Sequence, residues 1–130
     1  MGENRNKKFD LMERTTKFGE EIIIFSQRIP RNIITLPLIN QCVKSGTSIG
    51  ANYCEADDAE SGHDFTHKIG ICKKESRETE YWLKIISVAV PSLKKETEKL
   101  QQEAKELNLI FNSIVKKINN KRNNFINSIS

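Results

Sequence analysis

Residues 45–56 read SGTSIGANYCEA. The two glycines, Gly46 and Gly50, admit two readings: a loop that grips phosphate, or a helix whose neighbours come very close. A phosphate loop needs the pattern GxxxxGK[ST] after a strand. Here the glycines stand four apart, no lysine follows the second, and nothing before them alternates as a strand does. Leu38, Cys42, Ser45, Ile49, Asn52 and Ala56 instead step by four and three, which places the whole stretch inside a helix. Ser45, Gly46, Ser48, Gly50 and Ala51 then form a nearly bald surface. Each interior glycine costs about 1 kcal/mol of helix propensity, a cost that close packing can offset. The closest helix crossing, or a contact between subunits, is expected at Gly46 and Gly50.

The same rhythm runs outward in both directions. Leu11, Thr15, Phe18, Ile22, Phe25 and Ile29 make one stripe before it. Pro30 and Pro37 then interrupt the pattern, with Leu36 pushed out of helical geometry by the proline that follows and Pro37 an early residue of the next helix. Downstream, Gly62 breaks the helix and Ser61 or Asp64 can cap the next. That third stripe is Phe65, Ile69, Cys72, Ser76, Thr79, Leu83, Ile86 and Val90. Pro91 stops it, Ser92 can cap the fourth helix, and Leu93, Thr97, Leu100, Ala104, Leu107, Phe111, Ile114 and Ile118 complete the set. Four amphipathic helices with short connectors predict an all-α fold, an antiparallel up-down-up-down four-helix bundle. Residues 1–8 are expected to be a flexible N-terminal segment, 9–118 the bundle, and 119–130 a basic, Asn-rich tail that frays or meets a partner.

At 130 residues the chain fits one domain. It has no apolar run of membrane-spanning length and no signal-like start, so a soluble cytoplasmic protein without membrane contact is expected. Cys42, Cys54 and Cys72 are odd in number and widely spaced, which fits buried thiols rather than a disulfide or zinc framework. The net charge of +4 is uneven: residues 1–65 carry 8 Lys+Arg against 10 Asp+Glu, and residues 66–130 carry 13 against 7. A basic half can meet phosphate. Lys73, Lys74, Lys94, Lys95, Lys99, Lys116, Lys117, Lys121 and Arg122 are the candidate nucleic-acid contacts.

Catalytic and metal constellations fail on spacing. Glu60-x-x-His63 is a single copy straddling Gly62, whereas a di-iron bundle needs two such motifs and two more carboxylates. His63 and His67 lack a third ligand, and neither has an arginine four to six residues upstream, as helical ribonucleases have. No enzyme, cofactor or metal is expected. In KKESRETEYWLKI, residues 73–85, Glu75, Arg77 and Glu78 alternate with Tyr81 and Trp82, a patch suited to an interface. Glu55 is placed to pair with Lys68, Lys73 or Arg77.

QCVKSGTSIGANYCEA followed by DFTHKIGICKKESRETEYWLKI resembles the four-helix-bundle family found in intervening sequences of bacterial 23S rRNA genes. That family is similar to the accessory variability protein of diversity-generating retroelements, which binds a reverse transcriptase and nucleic acid. The resemblance implies a bundle that assembles as a homo-oligomeric ring, a homopentamer, with a basic outer surface and no enzymatic activity. It carries Ser45, Gly46, Ser48, Ile49, Asn52, Glu55, Lys68, Glu75, Arg77, Glu78 and Trp82 over as packing, assembly or binding residues. Gly50 and Tyr53 join them if subunits pack side by side on the small-residue face, with Asn52 and Tyr53 as polar contacts at its edge. Cys54 stands where many relatives have a charged residue.

Overall fold

The structure, a computed structural model, describes residues 7–129, with side chains from Leu11 onward. The described chain is all-α, with four helices and no strand: α1 Lys7–Gln27, α2 Thr35–Asp57, α3 Gly62–Ala89 and α4 Lys94–Ile129, with a 3-10 turn, Pro91–Leu93, before α4. Of the segment expected to be flexible, residues 1–6 lie outside the described residues, and Lys7 and Lys8 open α1.

Every residue of the first stripe, from Leu11 to Ile29, is buried. Fully burying one such side chain stabilises by about 1.5–3 kcal/mol, so the 4-3 spacing alone anchors α1. The third and fourth stripes are buried from Ile69 to Ile86 and from Leu93 to Phe111. Among the described residues seven serine and threonine hydroxyls are buried: those of Thr15, Ser45, Ser76, Thr79 and Thr97 lie within hydrogen-bond distance of a carbonyl of their own helix, Thr35 donates to the Pro30 carbonyl, and Ser26 Oγ meets no partner. Thr79 Oγ1 also meets Ser45 Oγ at 2.9 Å, which ties α3 to α2. A buried hydroxyl bonded in this way avoids the penalty of an unmet polar group.

Consecutive helices pack along their lengths, whereas α1 and α4 touch over a shorter seam. A close approach lies between α1 and α2. A Cβ on Gly46 would stand 2.9 Å and 3.0 Å from the two γ carbons of Ile22, and one on Gly50 would stand 3.3 Å from the Thr15 carbonyl oxygen. Gly46 and Gly50 are therefore packed from within the chain by α1, whereas Ser45 meets α3, Ser48 is half-buried and Ala51 is exposed. Of the two alternatives expected at Gly46 and Gly50, the structure shows the helix crossing.

Three local expectations change, and one alternative is decided. α2 starts at Thr35, so Leu36 is helical although a proline follows it. Asn32 makes this possible: its Oδ1 accepts from the Ile34 and Thr35 amides, each at 2.9 Å, and the N–H that Pro37 lacks is one the first turn leaves unpaired anyway. Ser61, rather than Asp64, caps α3, its Oγ accepting from Asp64 N at 3.1 Å. Ser92 caps nothing, because Pro91–Leu93 forms a 3-10 turn that leads straight into α4. From residue 119 the chain remains helical to Ile129 instead of fraying.

Candidate nucleic-acid interface

The nine basic candidates are divided among separate surfaces. Lys94 and Arg122 lie 28 residues apart on one helix, about 42 Å at 1.5 Å per residue. Lys73 is half-buried, and its carbonyl accepts the Asn108 amide from α4 at 2.8 Å. Lys74 is exposed beside Arg77, Glu78, Tyr81 and Trp82 on the α2–α3 side. Lys94 and Lys95 are exposed at the start of α4.

Lys99 lines a groove of about 610 Å³ between α1 and α4, among carboxylates that include Glu96 and Glu103. Here Arg14 donates from Nε to Glu103 at 2.7 Å and from Nη2 to Glu106 at 2.9 Å, and Arg28 donates to Glu96 at 2.7 Å. The hydrogen bond to Glu103 is the main reason the Arg14 guanidinium holds its proton still more firmly than usual. Phosphate would find this groove already neutralised.

The remaining four candidates, Lys116, Lys117, Lys121 and Arg122, are exposed within two turns of α4. After Glu106 the sequence holds these four cations and no Asp or Glu, so residues 107–130 account for the whole formal charge of +4. This is the most concentrated positive surface of the described chain.

Of the residues carried over from the family pattern, Gly46 is buried, Lys68, Glu75 and Trp82 are half-buried, and Glu55, Arg77 and Glu78 are exposed. Ser45 and Ile49 are buried, and the Ile49 carbonyl accepts from the Cys72 thiol. Ser48 Oγ donates to Lys44 O, and Asn52 Nδ2 donates to Ser48 O. Tyr53 is buried, with its ring 6.2 Å from that of Phe111. Of the three partners open to Glu55, Lys68 is the one used, at 2.5 Å, and that bond raises the ammonium pKa. Burial pushes the Cys42 and Cys72 thiols up to about 12, so both stay protonated. Cys54 is exposed, with its sulfur 3.3 Å from that of Met12. Among the described residues no group of three His, Cys, Asp or Glu is placed to hold a metal ion, and no helix is long and apolar enough to cross a membrane.

A model of the 23S rRNA-intervening sequence protein family matches residues 7–125. The chain belongs to this family. Among solved structures, this member is similar to a protein of unknown function from the S23 ribosomal protein family of Bacteroides thetaiotaomicron. The two are 31% identical over 85% of this chain and 99% of that one, with a TM-score of 0.78. No curated protein matches the chain.

In this 23S rRNA-intervening sequence protein the α2–α3 surface keeps an exposed aromatic: Tyr81 is 55% accessible and meets the half-buried Trp82 edge to face at 5.0 Å. Beneath it, burial raises the carboxyl pKa of Glu75, with the neighbouring Glu78 adding to the effect. A carboxyl with a raised folded-state pKa contributes stability at pH values below its unfolded pKa and loses it as pH rises through the folded one. Glu75→Gln is therefore expected to gain stability over the parent between about pH 4 and pH 7. Urea midpoints measured across that range would check this, and a difference that does not vary with pH would contradict it.

Sequence reasoning misses two features of this family member. Spacing rules cannot pair Arg14 with Glu103, because the residues are far apart in the chain. The other is an apolar groove of about 720 Å³ at the α2–α3 end, lined by Leu11, Tyr53, Ala56, Phe65, Ile110 and Ile114. Four of its lining residues, Leu11, Ala56, Phe65 and Ile114, are stripe residues, and Tyr53 lies one position beyond the stripe residue Asn52.

Proposed function

We propose that this protein is a non-enzymatic, cofactor-free cytoplasmic protein that binds RNA or DNA through phosphate contacts and works as a homo-oligomeric ring, a homopentamer. The observation that carries this reading is the acid-free basic end of α4, where Lys116, Lys117, Lys121 and Arg122 hold the entire net charge. Contacts of this kind give affinity and position without reading bases. The family's link to 23S rRNA intervening sequences supports the same ligand class.

The body that presents this surface is an antiparallel up-down-up-down bundle. Pairings that run in opposite order support it: Ser45 with Thr79 and Glu55 with Lys68 between α2 and α3, and Arg14 with Glu103 and Arg28 with Glu96 between α1 and α4.

Binding of a duplex RNA should weaken linearly in log-log terms as salt rises, with a slope near −0.9 per phosphate neutralised. Lys116→Glu with Lys117→Glu should reduce that slope by roughly 1.8, two contacts' worth. If neither RNA nor DNA binds measurably at about 50 mM salt, the reading fails.

A second reading, an adaptor that docks a reverse transcriptase, is favoured by the exposed Tyr81–Trp82 patch, since aromatic anchors of this kind concentrate at protein interfaces. A reverse transcriptase gene beside the gene for this chain would support the adaptor, and a place within an rRNA operon would support the first reading.

A further inference from the structure

α4 outruns the bundle. Phe65, near the start of α3, shares a small groove with Ile114, Lys117 and Ile118, and from residue 119 to 129 every α4 residue is exposed. Yet the core-facing stripe does not stop there. Leu107, Phe111, Ile114 and Ile118 continue as Arg122, Phe125 and Ile129 at the same steps of four and three, with Phe125 64% and Ile129 68% accessible. A helix end of this length is marginal without a partner for its apolar face.

The stripe also specifies the partner's charge. Arg122 sits within it and Lys121 on its edge, so whatever covers Phe125 and Ile129 must offer carboxylates beside an apolar surface. The chain has such a surface at the end from which α4 projects. Asp58, Glu60 and Asp64 are exposed at the α2–α3 turn, and their chain neighbours Asp57 and Ala59 line the groove together with Tyr53, Ala56, Phe65 and two cations, Arg14 and Lys117. Residues 1–6, MGENRN, offer a single apolar side chain and do not match the stripe.

We infer that the α4 extension docks on a second copy of this chain, with its Ile118–Phe125–Ile129 stripe against the apolar groove and Lys121 and Arg122 facing Asp58, Glu60 and Asp64 of that copy. A single charged residue within an apolar helical seam fixes register in helix pairing, which is the role this assigns to Arg122. The inference rests on the self-association proposed above and names the surface that carries it. Lys116, which lines neither groove, stays available to phosphate.

The test is the concentration dependence of mass, followed by sedimentation for the full chain and three variants. Phe125→Asp with Ile129→Asp, Lys121→Glu with Arg122→Glu, and Asp58→Lys with Glu60→Lys are each expected to raise the dissociation constant about 10-fold or more. Placing both pairs of charge reversals in one chain should restore association to within about threefold of the parent, because the reversed surfaces then match at every contact. All changed positions are exposed, so each variant should keep the parent's helical circular dichroism. If the assembly stays intact in Phe125→Asp with Ile129→Asp, the docking is wrong while self-association stands. A full chain that is monomeric at every concentration takes down both. If the parent binds anionic phosphatidylserine vesicles and loses that binding in Phe125→Asp with Ile129→Asp while its mass is unchanged, the stripe belongs to a lipid surface and the inference is overturned.

Discussion

Replacing Gly46 with leucine is expected to cost the fold on the order of 3 kcal/mol, the upper part of the range for overfilled cores. Even the first carbon of a side chain at this position would meet Ile22, whose Cγ1, Cγ2 and Cβ would lie 2.9, 3.0 and 3.3 Å away. Ile22 is fully buried and cannot swing into solvent. Against the clash stands a gain of about 1 kcal/mol, since glycine is a poor helix former. Steric overlap wins because the two helices cannot separate without exposing Phe18 and Phe25 on either side of Ile22. Gly46→Ala should lose less, and combining it with Ile22→Ala should cost less than the two changes summed, because the second removes both carbons in the way. Urea unfolding of the parent and these variants checks this. Full additivity, or a Gly46→Leu variant as stable as the parent, would mean that α1 does not cross α2 here.

Most of the fold is legible because burial in a helix follows a simple period. Spacing alone selects Leu11, Thr15, Phe18, Ile22, Phe25 and Ile29, and all are buried. Even Thr15, polar by type, follows the register, since its hydroxyl can be satisfied by its own helix. The period fails partly on α2, where Ile39 and Tyr53 are buried and Leu38 and Asn52 only half so. α2 lies between α1 and α3 and packs on both, so its buried face is wider than one stripe. Gly46 belongs to the side that meets α1 and Ser45 to the side that meets α3.

The binding surface is less legible, because charge has no period. The acid-free stretch around Lys116 and Lys117 is visible in the sequence, but only the fold shows that Lys99 sits among carboxylates between α1 and α4. Composition misleads about the α4 extension for a related reason. Asparagines at 119, 120, 123 and 124 look like a loop, yet they fall off the stripe and leave Ile118, Phe125 and Ile129 in register.

Phe111→Ala is the second large effect, with an expected loss of about 3–5 kcal/mol. Phe111 is wholly buried, and its ring faces that of Tyr53 with the planes tilted by 47°. The ring thus reaches from α4 across the core to α2, two helices that are not consecutive. Removing it forfeits the transfer of the ring from water and leaves a cavity walled by helices that cannot collapse inward, since Tyr53 on one side and Leu107 on the other hold their own positions. The ion pairs at the α1–α4 seam offer little compensation. Arg14, Glu106 and Arg28 are all more than a third accessible, and pairs so well solvated contribute weakly to stability. The grip of the fold on α4 therefore rests on Leu107 and Phe111 more than on its salt bridges, and Arg14→Ala should cost much less than Phe111→Ala. Denaturant midpoints for the two variants decide the point: if the arginine change proves the more damaging, α4 is held from its surface and not from its buried rings.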